Sequence, residues 1–195
     1  MNAELELTFQ GGTLCLSGLS PESHLPRDSG LSALPASAAW DTREHLFRMP
    51  ACDYAELILR LRAAKIPVND KARAYTQLSL ECKVQNALFP YQKEALDTWL
   101  KHRARGVVVL PTGAGKTYLA TVAILEKQRS SLVVVPTLDL VNQWYDVLSA
   151  AFGAPVGIVG GGYHEVLDLC VTTFDYAHLH MDRMGSRFGL IIFDE

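Results

Sequence analysis

Four residues at two places in the chain have the types and spacing to handle a nucleoside triphosphate: Lys116 and Thr117 at the end of LPTGAGKT, and Asp194 and Glu195 at the end of LIIFDE. Gly113 and Gly115 let the backbone curl so that successive N–H groups of the segment Pro111, Thr112, Gly113, Ala114, Gly115 point inward at one anion. Lys116 then reaches the β- and γ-phosphates, and the Thr117 hydroxyl is a ligand for Mg²⁺. The strict pattern G-x-x-x-x-G-K-[ST] is missed at one position, where Leu110 replaces the first glycine. Such a loop needs a carboxylate for its metal. Asp194 would hold Mg²⁺ through the metal's water shell, and Glu195 would accept the proton of the water that attacks the γ-phosphate. The plain alternatives are a glycine-rich turn with a solvated lysine and a strand end with two solvated acids. Strand, loop and helix in that order, followed downstream by an acidic strand end, weigh against both.

The elements that must position these residues are legible as apolar runs. GVVVL at 106–110, LVVV at 132–135, LCVT at 169–172 and LIIF at 190–193 predict strands buried on both faces. Helices are predicted after Gly115 and near Leu138, and strand–helix alternation argues for a parallel sheet covered by helices. The first half differs. Leu5, Leu7 and Phe9 alternate with polar residues, and Gly11-Gly12 turns the chain into Thr13–Leu16, which predicts a hairpin. Ser17 to Ala39 is rich in Ser, Pro, Gly and Ala and reads as a loop. A helix is predicted from Asp53 as N-cap through Lys65, with Pro67 ending it. An extended stretch over Thr76–Leu80 closes a small α+β unit. The predicted organisation is therefore α/β: a small α+β domain over 1–84, then a P-loop domain with a parallel sheet over 85–195.

Composition excludes several classes. The net charge is −3, and dividing the chain at Leu88 leaves 9 basic against 10 acidic residues before it and 9 against 11 after it, so bulk charge supplies no argument for nucleic-acid binding. Cys15, Cys52, Cys82 and Cys170 are widely spaced and read as buried thiols rather than zinc ligands or disulfides. The six histidines lack metal-ligand spacing. No apolar run approaches the roughly 20 residues a membrane span needs, and the N-terminus lacks signal-peptide character, so the expected location is cytoplasmic, away from membranes. Gly160-Gly161-Gly162 reads as a loop after a strand because no G-K-T follows it. Lys101, His102, Arg103 and Arg105 read as a solvated cluster at a helix end.

Residues 88–195 resemble the first RecA-like domain of a superfamily 2 helicase of the DEAD/DEAH-like kind. LFPYQKEAL, LPTGAGKT, VVVPTLDLVNQW, VTTFDY and LIIFDE occur in the family's order. The resemblance is nearest to the XPB-like DNA helicases, with the motor subunits of type III restriction enzymes second. XPB-like proteins place a small domain, proposed to sense damage, ahead of the motor, and residues 1 to about 84 resemble it in size and place. The resemblance implies that Gln92 reads the adenine edge and favours ATP, and that Thr137, Thr172 and Thr173 contact the DNA backbone. It also implies ATP and Mg²⁺ as cofactors, double-stranded or junction DNA as partner, and ATP-driven translocation as the activity. Where this chain has Phe89, the family usually has arginine.

The chain stops at Glu195, inside the family's Asp-Glu-x-His motif. An arginine finger from a second RecA-like domain is worth roughly 10³–10⁵ in rate, so slow or no ATP turnover is expected from this polypeptide alone. Two rival readings stay open at this point. One is another P-loop class such as a nucleotide kinase, against which stand Gln92 ahead of the loop and the Pro-Thr pair at 136 and 137. The other is a nucleic-acid-binding module without turnover.

Overall fold

A computed structural model describes residues 4–21, 34–83 and 86–194; Glu195 and most of the predicted Ser17–Ala39 loop lie outside the described residues. The chain divides into two compact units, one of residues 1–74 with 179–187, the other of residues 75–178 with 188–195.

In the first unit, β1 (Leu5–Gln10) and β2 (Thr13–Ser17) form the predicted hairpin, with Leu7 opposite Leu16 and Phe9 opposite Leu14. Gly11 and Gly12, at φ 55° and 79°, supply the paired left-handed residues that a two-residue hairpin turn demands. β3 (Ala39–Asp41), β4 (Leu46–Pro50) and β5 (Val68–Asp70) complete a sheet of order β3-β4-β2-β1-β5, antiparallel except for the β1–β5 pair. α1 (Tyr54–Ala63) lays Leu57 and Leu61 onto Leu5, Leu7, Leu14, Leu16 and Met49, forming the core of this unit. The helix starts where the sequence predicts and ends two residues sooner, at Ala63 instead of Lys65. A 3-10 turn over Ala51–Asp53 leads into it, so Asp53 already has helical dihedrals and its carboxylate makes no cap bond.

Alternation along β2 sends Cys15 to the sheet face opposite Leu14 and Leu16, where it is buried beneath Arg48. The Arg48 guanidinium donates to Asp41 at 2.8 Å, to Glu44 at 2.7 Å and to Thr13 Oγ1 at 3.1 Å. This fork holds the β3–β4 hairpin closed. Cys170 is also buried, whereas Cys52 is exposed and Cys82 half-buried, so the expectation of buried thiols holds for two of the four.

In the second unit, β6 (Ser131–Val135), β7 (Val156–Gly160), β9 (Leu169–Thr173) and β10 (Leu190–Phe193) form a parallel sheet of order β10-β6-β9-β7, and the two-residue β8 (Tyr163–His164) pairs antiparallel with β7. β6 is buried at every position. α3 (Lys116–Lys127) and α4 (Leu138–Phe152) cover the sheet, and Ile124, Val141, Trp144 and Leu148 pack with Val133, Val135 and Val171. α2 (Pro90–Lys101) packs Leu96 against Leu119 and Ala123 of α3, and α5 (Phe174–Met184) follows β9.

Three expectations fail here. The run GVVVL at 106–110 forms no strand, and Val107 and Val109 are 90% and 87% exposed. β-Branched residues favour an extended backbone, but a strand also requires a ladder partner. Among the described residues β10 stands at a sheet edge and pairs only with β6. That edge position also explains why β10 is not buried on both faces, with Phe193 65% exposed and stacked on Phe174. The stretch Thr76–Leu80 joins no sheet of the first unit. Gln77 bridges to Arg129, and both amide ends of Gln128 bond the backbone of Leu80, tying the stretch to the turn that ends α3.

Hydrogen bonding from Arg48 holds the Asp41 carboxyl below its ordinary range. A depressed folded value contributes stability above the unfolded pKa and loses it as pH falls through the folded one. The expected outcome is that Asp41→Asn flattens the urea-midpoint dependence of this protein between about pH 5 and about pH 2, relative to the unsubstituted chain.

Candidate nucleotide-binding site

α3 opens on Gly115, which sits in the left-handed region at φ 75°. Gly113 is also left-handed at φ 79°, and Ala114 N–H donates to the Pro111 carbonyl at 3.2 Å, closing a turn. The loop therefore curls as its glycines predict. The first intrahelical bond runs from Leu119 N–H to the Gly115 carbonyl at 3.0 Å. The N–H groups of Lys116, Thr117 and Tyr118 belong to the opening turn and have no acceptor within the helix, which is the arrangement that receives an anion. Lys116 Nζ lies 3.5 Å from the Leu110 carbonyl, folded back across the loop. Pro111, Thr112 and Gly113 are exposed, and Ala114 to Thr117 are half-buried.

The approach to α2 grips this loop. Gln92 is 2% exposed; its Nε2 donates to the Ala114 carbonyl at 2.9 Å and to Gly115 at 3.4 Å, while its Oε1 accepts from Phe89 N–H at 3.0 Å. The Tyr91 hydroxyl donates to the same Ala114 carbonyl at 3.2 Å. Asn86 and the Tyr118 hydroxyl bond each other through both backbone groups of Asn86. Phe89 and Tyr91 stack with ring centroids 5.7 Å apart and planes within 6°. Sequence reasoning passed over this aromatic pair and the Tyr118 anchor; the signal was the spacing of Phe89, Tyr91 and Gln92 just ahead of a glycine loop. An open trough of about 440 Å³ runs alongside, between α2 and residues 105–110, with Tyr91, Thr98, Trp99 and His102 among its walls.

Asp194 continues the line of β10, its N–H donating to the Val134 carbonyl at 3.0 Å. One carboxylate oxygen accepts from the indole N–H of buried Trp144 at 2.8 Å, a tie the sequence did not disclose. α3 packs against β10. Among the described residues no three His, Cys, Asp or Glu side chains gather as a metal cage. Mg²⁺ keeps several waters and binds through one or two carboxylates plus substrate phosphates. Thr117 and Asp194, with one oxygen not used by Trp144, are the residues that fit it.

The three threonines matched to DNA contacts fare differently. Thr137 accepts from Leu140 N–H at 3.3 Å and caps α4. Thr173 accepts from Tyr176 N–H at 3.4 Å at the start of α5. Thr172 is fully buried and donates to the Val159 carbonyl at 2.7 Å, so the assignment of a backbone contact to it is corrected: its place in β9 points the hydroxyl into the sheet. Gly160, Gly161 and Gly162, all with positive φ, turn β7 into β8, and the turn rests against Leu138.

A parallel sheet with a helix opening on a glycine loop and an aspartate ending an adjacent strand defines a RecA-like P-loop domain. Residues 85–195 match the family described as "Type III restriction enzyme, res subunit", and residues 7–72 match the "Xeroderma pigmentosum group B helicase damage recognition domain". The chain belongs to the superfamily 2 helicases and is XPB-like. It is 42% identical over 105 residues to the DNA 3'-5' translocase XPB2 of Sulfurisphaera tokodaii, covering 54% of this chain and 24% of that one. It is 31% identical over 120 residues to the DNA 3'-5' helicase XPB of Kineococcus radiotolerans, covering 56% of this chain and 21% of that one. The chain thus spans under a third of the length of the curated relatives it matches. The UvsW helicase of bacteriophage T4 shares the fold at a TM-score of 0.51 and 17% identity, over 98% of this chain and 82% of that one.

A Cβ at Gly115 would meet Gln92 Nε2 at 2.6 Å while adopting left-handed dihedrals. Gly115→Ala is expected to lower stability by about 1–3 kcal/mol, read as a fall in urea midpoint with an unchanged slope.

Proposed function

We propose that this chain supplies the ATP-binding RecA-like domain of an ATP-driven DNA helicase or translocase, together with a small XPB-type damage-recognition-like domain. The carrying observation is the opening turn of α3, with N–H groups lacking helical acceptors, on a helix packed against the strand that leads into Asp194. In this reading the loop from Pro111 to Gly115 cradles the phosphates, Lys116 neutralises charge on the β- and γ-groups, and Thr117 with Asp194 holds Mg²⁺, which draws electron density from the transferring phosphoryl group. Asp194 is oriented for this by Trp144. Glu195 takes the proton of the attacking water.

Thr137 and Thr173 cap α4 and α5 from the ends of β6 and β9, where neighbouring helix N-termini face the same side of the sheet as the ends of parallel strands; this is where a DNA phosphate backbone would run. The family names of the matching relatives support DNA as the partner. A second RecA-like domain completes the motor and brings the arginine finger, and the protein works in the cytoplasm beside its DNA. A restriction-enzyme motor subunit is the second reading, carried by the family description for residues 85–195; the match of residues 7–72 to the XPB domain favours the first.

Lys116→Ala is expected to weaken ATP binding at least about tenfold, a loss of about 1.4 kcal/mol, with the circular dichroism spectrum retained. Unchanged affinity in a folded variant argues against the site. In a coupled ATPase assay with DNA present, the 195-residue chain is expected to turn over at least about 10³-fold more slowly than a chain extended through a second RecA-like domain.

A further inference from the structure

Thr137 and Thr173 offer DNA neutral contacts, and nothing near them in the sequence is positively charged. From Ser130 to Asp182 the chain has no Lys or Arg, while Asp139, Glu165 and Asp175 lie at or next to the ends of β6, β8 and β9. Affinity for a phosphate backbone comes largely from cations that release condensed counterions. The strand-end loops of the second unit lack that source. Positive charge gathers instead at the far end of α2. Lys101, His102, Arg103 and Arg105 are all exposed, and among the described residues none of them pairs with a carboxylate, Asp97 one turn earlier on α2 included. Lys101 already stands in the last turn of α2, where the helix dipole favours a cation, and the two arginines lie beyond the helix. At about 1.5 Å per residue, Lys101 is about 14 Å along α2 from Gln92, which separates the cluster from the phosphate loop that Gln92 grips.

The backbone that carries these cations is fixed in an unfavourable shape. Arg105 N–H donates to the His102 carbonyl at 3.3 Å, and between them Arg103 and Ala104 both have positive φ, 61° and 57°. Two left-handed residues spanned by such a bond match a type I′ turn, a shape that favours Asn and Gly. Ala104 N–H also donates to the Trp99 carbonyl at 2.9 Å, tying the turn to the end of α2. An arginine held left-handed is a strained choice for the fold, and strain of that kind points toward function. What Arg103 offers here is a cation on a rigid, exposed turn.

We propose that the turn formed by Lys101, His102, Arg103 and Arg105 is a DNA phosphate-binding surface, separate from the strand-end loops, and that it is the main source of the salt-dependent affinity of the second unit for DNA. The inference rests on DNA as the partner proposed above. It divides the contacts by physics: neutral groups at the strand ends position the backbone, whereas the cations at the end of α2 attract it. The planar guanidinium of each arginine can engage two phosphate oxygens at once. In the first unit, by contrast, Arg48, Arg60 and Lys71 are already paired with Asp41, Glu56 and Glu6.

The test is fluorescence anisotropy of the 195-residue chain with a fluorescein-labelled DNA duplex over about 50–200 mM KCl. Arg103→Gly combined with Arg105→Ala removes two cations, and glycine suits the left-handed position. This double variant is expected to keep or raise the urea midpoint, to lose at least about tenfold in DNA affinity, and to show a salt slope shallower by about two. Arg103→Lys combined with Arg105→Lys keeps the charge and should keep the slope. Mant-ATP affinity should be the same in all of them; a matching fall in it overturns the separation from the nucleotide site. Unchanged DNA affinity and slope in the folded double variant overturn this inference alone, and so does a loss of affinity with no change in slope, which a merely structural role would give. Loss of labelled poly-glutamate binding in the double variant, with duplex binding intact, assigns the turn to an acidic protein partner and overturns it as well. If the unsubstituted chain binds no duplex at about 50 mM salt, the proposed DNA partner and this inference fall together.

Discussion

The Ala114 carbonyl receives two side-chain donors, the amide of Gln92 and the hydroxyl of Tyr91, and that shared acceptor sets the shape of the phosphate loop. A glycine-rich turn is otherwise the least constrained backbone in a protein, since glycine loses more conformational freedom on folding than any other residue. Bonds from α2 convert it into a single geometry before any ligand arrives. Gly115 is the residue that makes this possible. Its left-handed dihedrals start α3 while leaving the carbonyls of Ala114 and Gly115 turned toward Gln92, and a side chain at that position would occupy the space of the amide.

A second tie operates at the acidic strand end. Trp144 is buried in the α4 face of the core, yet its indole N–H emerges at Asp194. The helix that follows the Pro-Thr segment and the strand that leads into Asp194 are thereby joined by a bond of 2.8 Å.

The small first unit is organised by other means. Its apolar face rests on α1, while its opposite face is organised by Arg48, whose planar fork engages two carboxylates, a hydroxyl and a thiol at once. Three-residue β3 has little ladder of its own, and Arg48, reaching across from β4, supplies the cross-links that a longer strand would obtain from backbone bonds.

Local signals were legible wherever a residue type has one strong backbone consequence. Gly11-Gly12 marked the hairpin, the G-x-G-K-T spacing marked the loop and the start of α3, and the continuous apolar runs marked β6 and β9. The same apolar reading failed at residues 106–110, because extended preference is local whereas a strand depends on a partner edge. It also misjudged Thr172, since a strand-ending threonine looks identical in sequence whether its hydroxyl meets solvent or the Val159 carbonyl. By itself, then, the sequence determined the hairpin, the parallel α/β arrangement and the glycine turn that opens α3, all of which follow from short-range sterics and periodicity. Tertiary structure alone decided that Gln92 is sealed against the loop, that Phe89 and Tyr91 stack at the surface and that Trp144 holds Asp194. The first and last of these depend on residues 22 and 50 positions apart along the chain coming within hydrogen-bond distance, and no local preference encodes that meeting.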